Sequence, residues 1–350
     1  MRLGLPLVAY LLIIAMPLAA QDYRVLHWGI ESGLSQGINQ KIIRDSEGFL
    51  WATSYEGVNR FDGKTFRNFY SFPKKRNAIR GTETTGLVED SLHRIWIGSG
   101  EGLNHYDPVT DSVITFLPGA TPASRVQYII PVAATKNEVI CFDFTGTVTG
   151  YNSTTFKPRV IARNIKWYDD YSNVNNAWLD INNNVLWMPV ERGMASINIR
   201  TGKTSYHFPT EQINAILFDW KKDAMILGTD DGIIEWYPSR DSIAALRMLQ
   251  SISLGKITCL SQDAAGTLWI GTEEHGLFMT GANGITQLLK TNKQENTISG
   301  NKINTIYCDK TGVVWISVAT NGIDQLIPGN RFSSYSENRQ TGNSINNNIV

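Results

Sequence analysis

Cysteine is scarce in this chain: Cys141, Cys259 and Cys308 are the only three in 350 residues, an odd number without C-x-x-C spacing. That argues against a disulfide framework or a cysteine zinc site and reads as buried free thiols. Net charge is lacking too, with 32 Lys plus Arg against 32 Asp plus Glu. Nothing therefore draws the chain to a phosphate backbone or an anionic membrane, and nucleic acid is not an expected partner of this segment. The five histidines, His27, His93, His105, His207 and His275, form no H-E-x-x-H or H-x-H pair, so neither a metal nor another cofactor is expected. A G-x-S-x-G elbow, a phosphate-binding loop, a dinucleotide fingerprint and the boxes of a kinase are missing as well. Beyond residue 20 no apolar run approaches the roughly 18 residues of a membrane helix.

What is present begins with an export signal. Met1 and Arg2 precede an apolar stretch from Leu3 to Leu18, interrupted by Pro6 and Pro17 and ending at Ala19-Ala20 before polar Gln21-Asp22. Residues 1–20 read as a secretory signal peptide, too short to span a bilayer, with an uncleaved anchor as the alternative. No cysteine follows the run to take a lipid. The remaining chain, with 42% hydrophobic residues and 10 tryptophans overall, has the composition of a folded protein with large buried surfaces.

Internal periodicity decides the fold class. DSEGFLWATSYEGVNRFDG starts at Asp45, DSLHRIWIGSGEGLNHYD at Asp90, DAAGTLWIGTEEHGLF at Asp263 and DKTGVVWISVATNGID at Asp309, with weaker copies from Asn137, Asn182 and Lys221. The large apolar anchors Trp51, Trp96, Ile140, Trp187, Ile226, Trp269 and Trp315 are spaced by 45, 44, 47, 39, 43 and 46 residues. Seven copies of this length, without helical periodicity, predict an all-β seven-bladed propeller of four-stranded antiparallel blades over residues 21–335. Segments such as Ile38 to Ile43, Val126 to Val132, Ile213 to Phe218 and Ile303 to Cys308 are suited to the innermost strands. In the D-x-x-G step the carboxylate caps backbone amides and glycine takes positive φ. The anchor lies on the second strand, facing the space between blades. Ring closure has two candidates, Tyr23 to His27 and Arg331 to Tyr335, and the N-terminal strand is favoured because joining the chain ends removes a free sheet edge.

Gly33-Leu34-Ser35, an Ile-x-x-x-Ile strand and DSEGFLWATSYEGVNRFDGKTF together resemble the two-component regulator propeller repeat, found in the sensor region of hybrid two-component systems of glycan-degrading bacteria. The resemblance covers Gly33 to the end, closely in the copies from Asp45, Asp90, Asp263 and Asp309. It implies a periplasmic sensor module followed by a second propeller, a membrane helix and signalling domains of a sensor histidine kinase. Residues 336–350, with Asn343 to Val350 similar to Asn301 to Ile306, read as the start of a following repeat. The implied partners are an oligosaccharide or other small ligand, the downstream domains of the same parent, and a second copy in a homodimer.

Within the blades, the turns between second and third strands and the links between blades share one face, where function concentrates on loops held by a rigid scaffold. They carry Tyr55, Glu56, Glu101, Phe144, Arg192, Asp231, His275 and Asn321, and the link between the third and fourth blades adds Trp167, Tyr168 and Tyr171. Planar rings beside amides and carboxylates are what sugar recognition requires. The same link also reads as a loop packed on its own scaffold or against a second propeller. Acids in equivalent turns, Glu56, Glu101, Glu191, Asp231 and Glu274, raise the alternative of an exported polysaccharide lyase or glycoside hydrolase. Acids before glycine are ordinary turn chemistry, so no catalytic residue is assigned and no glycan turnover is expected. A purely structural propeller is the third reading.

Overall fold

The computed structural model describes residues 23–72, 78–116, 128–167, 173–244, 252–281, 284–291 and 296–329. They form seven four-stranded antiparallel sheets in chain order, which makes a seven-bladed β-propeller. Blades 1 to 6 occupy 42–69, 84–116, 129–162, 178–207, 213–244 and 257–288. Blade 7 takes three strands from 303–328 and its outer strand from Tyr23–Trp28, which pairs antiparallel with Gly322–Pro328. The N-terminal strand therefore closes the ring, as expected from the count of sheet edges; the competing segment Arg331 to Tyr335, the signal peptide and residues 336–350 lie outside the described residues. Two short 3-10 turns, Ile30–Ser32 and Asn173–Asn176, interrupt the strands.

The core lies between blades. Seven apolar clusters fill the seven interfaces, and each anchor faces the following blade. Trp51, for instance, packs with Ile79, Leu87 and Ile97 of the next repeat, and Trp315 with Leu50, Ala52 and Phe61 across the ring seam. Six anchors are buried, and Trp187 is half-buried against Trp236. One sheet alone would leave this surface wet, so stacking is what stabilises each blade.

The repeated aspartate does more than cap a turn. Asp45 accepts the Phe49 amide at 2.8 Å and the Trp51 indole N–H at 2.6 Å, and Asp90 and Asp263 hold Trp96 and Trp269 alike. The six-residue step thus ties turn to interblade core. Burial pushes the Asp90 carboxyl up, but hydrogen bonds from Arg94, Trp96 and two amides outweigh it and hold it below the usual range. In blade 7 the pattern changes: Arg44 of blade 1 donates to Asp309 at 2.7 Å, and the Trp315 N–H is buried with no acceptor among the described residues.

The glycine that ends the second turn is required twice over at Gly57, which has a φ of 114° and whose added Cβ would sit 2.1 Å from the Phe69 carbonyl oxygen. At Gly322 that carbonyl comes from Trp28, so the N-terminal strand occupies the place a fourth strand fills elsewhere.

Two inner strands differ from expectation. The first is confined to Ile42–Arg44, because the Gln40 and Lys41 amides donate to the Thr53 hydroxyl instead of continuing the ladder. The third runs Ile129–Ala134, displaced towards its C-terminus and interrupted by a register shift between Pro131 and Ala133.

Candidate functional site

Threonine and serine side chains build the turns that carry the candidate residues. Ser54, Ser99, Thr229 and Thr272 each donate to the carbonyl of the turn glycine and accept an amide of the turn, from Glu56, Glu101, Asp231 and His275 respectively. The backbone of these four candidates is fixed, and their side chains are exposed.

The structure brings one subset together. Phe144, on the second turn of blade 3, stacks on Tyr128 with centroids 4.6 Å apart and 13° between planes, and Trp167 packs against the same phenyl ring at 4.3 Å. Trp167 donates its indole N–H to the Phe144 carbonyl at 3.2 Å and meets Phe142 edge-on. Tyr128 donates to Glu83 at 2.8 Å; that bond, then burial, pushes its hydroxyl up to about 12, and Tyr55 lies close enough to add to the effect. The second turn of blade 2 completes the rim, since the Gly100 amide donates to the Glu83 carbonyl beside Glu101. Tyr128 and Glu83, missed in the sequence, sit in links whose composition is unremarkable; only the ring geometry assembles them.

The other candidates stay apart. Arg192, Asp231 and His275 occupy separate exposed turns, and among the described residues no hydrogen bond or ring contact joins them to another candidate. Asn321 donates to the Ser299 carbonyl at 2.8 Å and borders a cavity of about 320 Å³ near His27, Glu31 and Lys290 at the ring seam. Tyr168 and Tyr171 lie outside the described residues.

The link between blades 3 and 4 behaves differently at its two described ends. Trp167 belongs to the rim. Asn173–Asn176 enters the central channel: Asn175 donates to the Thr85 carbonyl of blade 2 at 2.7 Å, and Asn176 donates to the Asn214 and Thr258 carbonyls of blades 5 and 6 at 2.8 and 2.9 Å. Lys41, entering blade 1, donates its ammonium to the Asn175 carbonyl at 2.6 Å. Protein surrounds the half-buried Lys41, and this burial lowers its ammonium to about 8. The 3-10 turn is thus a plug at the rim-side mouth of the channel, so that part of the link packs on its own scaffold.

The Ser46–His93–Glu89 cluster does not form a hydrolytic relay. Glu89 accepts the Ser46 hydroxyl, which also contacts His93 Nδ1 at 2.7 Å, but the same Nδ1 faces Glu89 at 3.3 Å. A serine-histidine-acid relay needs the acid on the second ring nitrogen. His105 is buried against Trp96 and Phe156, and burial lowers it to about 4. Among the described residues no group of three or more His, Cys, Asp or Glu is arranged to hold a metal. All three cysteines are free; Cys141 and Cys259 are buried, whereas Cys308 is partly exposed, a departure from the buried reading. No described helix is long and apolar enough to cross a membrane.

Residues 251–274, which contain the blade 6 copy of the repeat, match the model of the family described as "Two component regulator propeller". The blade 6 copy thus carries the two-component regulator propeller repeat that the sequence resembles. Its fold is similar to the extracellular domain of BT3049 from B. thetaiotaomicron, named as a hybrid two component system, with a TM-score of 0.69 and 20% identity over 87% of this chain and 42% of that one. The extracellular domain of BT4673 from the same organism, named as a one component system, gives 0.68 and 16% over 89% and 40%. This propeller therefore spans about two fifths of those structures. The WD40 propeller of Doa1 also matches, at 0.60 and 10% identity over 89% of this chain and 98% of that one, so the likeness establishes the fold and leaves function to the site. No curated protein matches the sequence.

Proposed function

We propose that this propeller is the exported, periplasmic sensor module of a two-component signal-transduction protein, and that it binds an oligosaccharide on the rim formed by Tyr55, Glu83, Glu101, Tyr128, Phe144 and Trp167. The supporting observation is the Tyr128–Phe144–Trp167 ladder: rings locked together by stacking and by a backbone hydrogen bond, next to carboxylates able to accept sugar hydroxyls. Its position beside the channel plug gives binding a route to several blades, because Asn173–Asn176 bonds to blades 1, 2, 5 and 6. In this reading the module holds its ligand without chemical turnover and signals through further domains of a sensor histidine kinase, with a second propeller or a second copy of the chain as partner.

Calorimetric titration of neutral oligosaccharides against the wild type and the Phe144→Ala and Trp167→Ala variants tests the rim. Loss of up to about tenfold in affinity is expected for each, the range of one lost stacking contact. Unchanged affinity would remove the rim from the site, and reducing-end release by the wild type would overturn the non-catalytic reading.

A further inference from the structure

The repeat supplies its own reference for what a surface turn needs. On the face opposite the rim, each blade turns from first to second strand, and the residue after the capping Asp or Thr is Ser46, Ser91, Lys136, Ile181, Trp220, Ala264 and Lys310 in order. Five are small or charged. Blades 4 and 5 instead carry Ile181 and Trp220, which are 54% and 64% exposed. Folding does not account for them, because the same turn closes elsewhere on serine or lysine with the same cap: Asp180 and Asp219 take turn amides just as Asp90 and Asp309 do. The Trp220 ring is nevertheless held firmly. It meets Trp178 and Phe218 at 5.8 and 4.6 Å, nearly perpendicular to both, and those two rings stack on each other at 4.7 Å and 5°. Two aromatics thus fix one exposed indole.

A cleft of about 500 Å³ opens on the other flank of the blade 4 turn, with Ile181 in its wall. Its charged lining is Lys136, Arg159, Arg200 and Glu138, an excess of cations in a chain whose total charge is zero. Glu138 is taken up by Arg159 through two bonds of 3.0 and 2.7 Å. Arg200 is aimed by one bond from its Nε to Asn184 at 3.0 Å, and neither Arg200 nor Lys136 has a carboxylate partner among the described residues. An oriented guanidinium with donors to spare is a site for a carboxylate or sulfate, and a flat exposed ring is a site for the apolar face of a pyranose.

We propose that this face, distinct from the rim, is a second binding site whose ligand is an acidic oligosaccharide. A sugar ring stacks on Trp220, and an anionic group enters the cleft to Arg200 and Lys136. The site does not depend on the rim being a binding site.

Titration calorimetry with trigalacturonate and with a sulfated chondroitin tetrasaccharide tests it. At least one should bind, with affinity falling as salt rises. Arg200→Gln and Trp220→Ala should each weaken that binding about tenfold, as expected for one lost charge-assisted bond or stacking contact; Arg200→Gln should leave the melting temperature unchanged, and Trp220→Ala should lower it only by the loss of its two ring contacts. Trp167→Ala should leave it intact, which separates failure here from failure of the rim. Three results would overturn the proposal: no heat with either ligand, binding indifferent to Trp220→Ala and equalled by inorganic sulfate, or self-association of the chain abolished by Trp220→Ala, which would assign the ring to a protein contact.

Discussion

Blades 1, 2 and 6 and blades 3 to 5 reach the same four-stranded form by different means. In the first group an aspartate at the turn grips both its own amides and the indole six residues on, so turn and interface hold each other in place. In blade 4 the equivalent Asp180 serves only its own turn, through Asn182 and Asn183, and in blades 3 and 5 the anchors are Ile140 and Ile226, which have nothing to donate. Aliphatic packing around Ile140, Leu186 and Ile197, or around Ile226, Leu254 and Ile270, replaces the polar tie. The features outside the repeat gather in or beside this looser group: the rim at Phe144 and Trp167, the channel plug, the cation-lined cleft and Trp220. Strict repetition builds scaffold, and departures from it occur where the chain has other contacts to make.

Asp90→Ala should give the largest effect. It strips two amides, the Trp96 N–H and the Arg94 guanidinium of their acceptor in a buried site, and breaking such a pair costs about 3–5 kcal/mol. Asp180→Ala, in a half-buried turn, should cost only about 1 kcal/mol. Urea unfolding of the two variants measures the contrast, and equal losses would dissolve it. Next, Trp51→Phe should destabilise more than Trp315→Phe by about 2 kcal/mol: the first deletes a hydrogen bond to a carboxylate, the second an N–H that has no acceptor among the described residues. Thermal melts of both decide this.

Asn176→Ala probes the plug. Removing its amide leaves the Asn214 and Thr258 carbonyls without that donor, a loss of about 1 kcal/mol for each bond, visible as faster hydrogen exchange at the inner strands of blades 5 and 6. The smallest effect is expected at the ring seam. His27 Nδ1 donates to the carboxylate of the buried Asp324 at 2.9 Å, and chiefly that hydrogen bond raises its imidazole above the ordinary 6.5. A raised value means that the imidazolium is favoured in the folded state. The stabilisation is full below the unfolded value and disappears as pH rises through the folded one. With His27 partly exposed the effect is modest, and His27→Gln should flatten the pH dependence of melting above pH 6.5.

The number of blades, the strand carrying each anchor and the direction each anchor faces are legible in the amino-acid sequence, because interface packing imposes the same residue at the same place in every repeat. Closure by Tyr23–Trp28 is legible from the counting of edges. The indole-carboxylate tie is not, since a six-residue spacing in a turn carries no sign of which way a carboxylate points. At the rim, Phe144 and Trp167 are legible as aromatics on the correct face, but their partners Tyr128 and Glu83 lie in separate links whose sequence does not differ from ordinary loops. The remaining candidates, Arg192, Asp231, His275 and Asn321, share the face without sharing contacts among the described residues, because symmetry places equivalent turns around a ring and does not bring them to one point.

The sequence by itself determined the repeat: its length, its turns, its interblade anchors and the seven-fold count, all consequences of local chemistry and of one apolar pattern written over and over. Tertiary structure alone decided what stands outside that pattern. Residues 173–176 plug the channel because ring closure brings the first strands of blades 1, 2, 5 and 6 within reach of one short turn. Trp220 becomes a fixed platform because Trp178, 42 positions earlier in the chain, stacks on Phe218 beneath it. Contacts between segments so far apart in the chain depend on the angle and spacing of neighbouring blades, and no local preference encodes those.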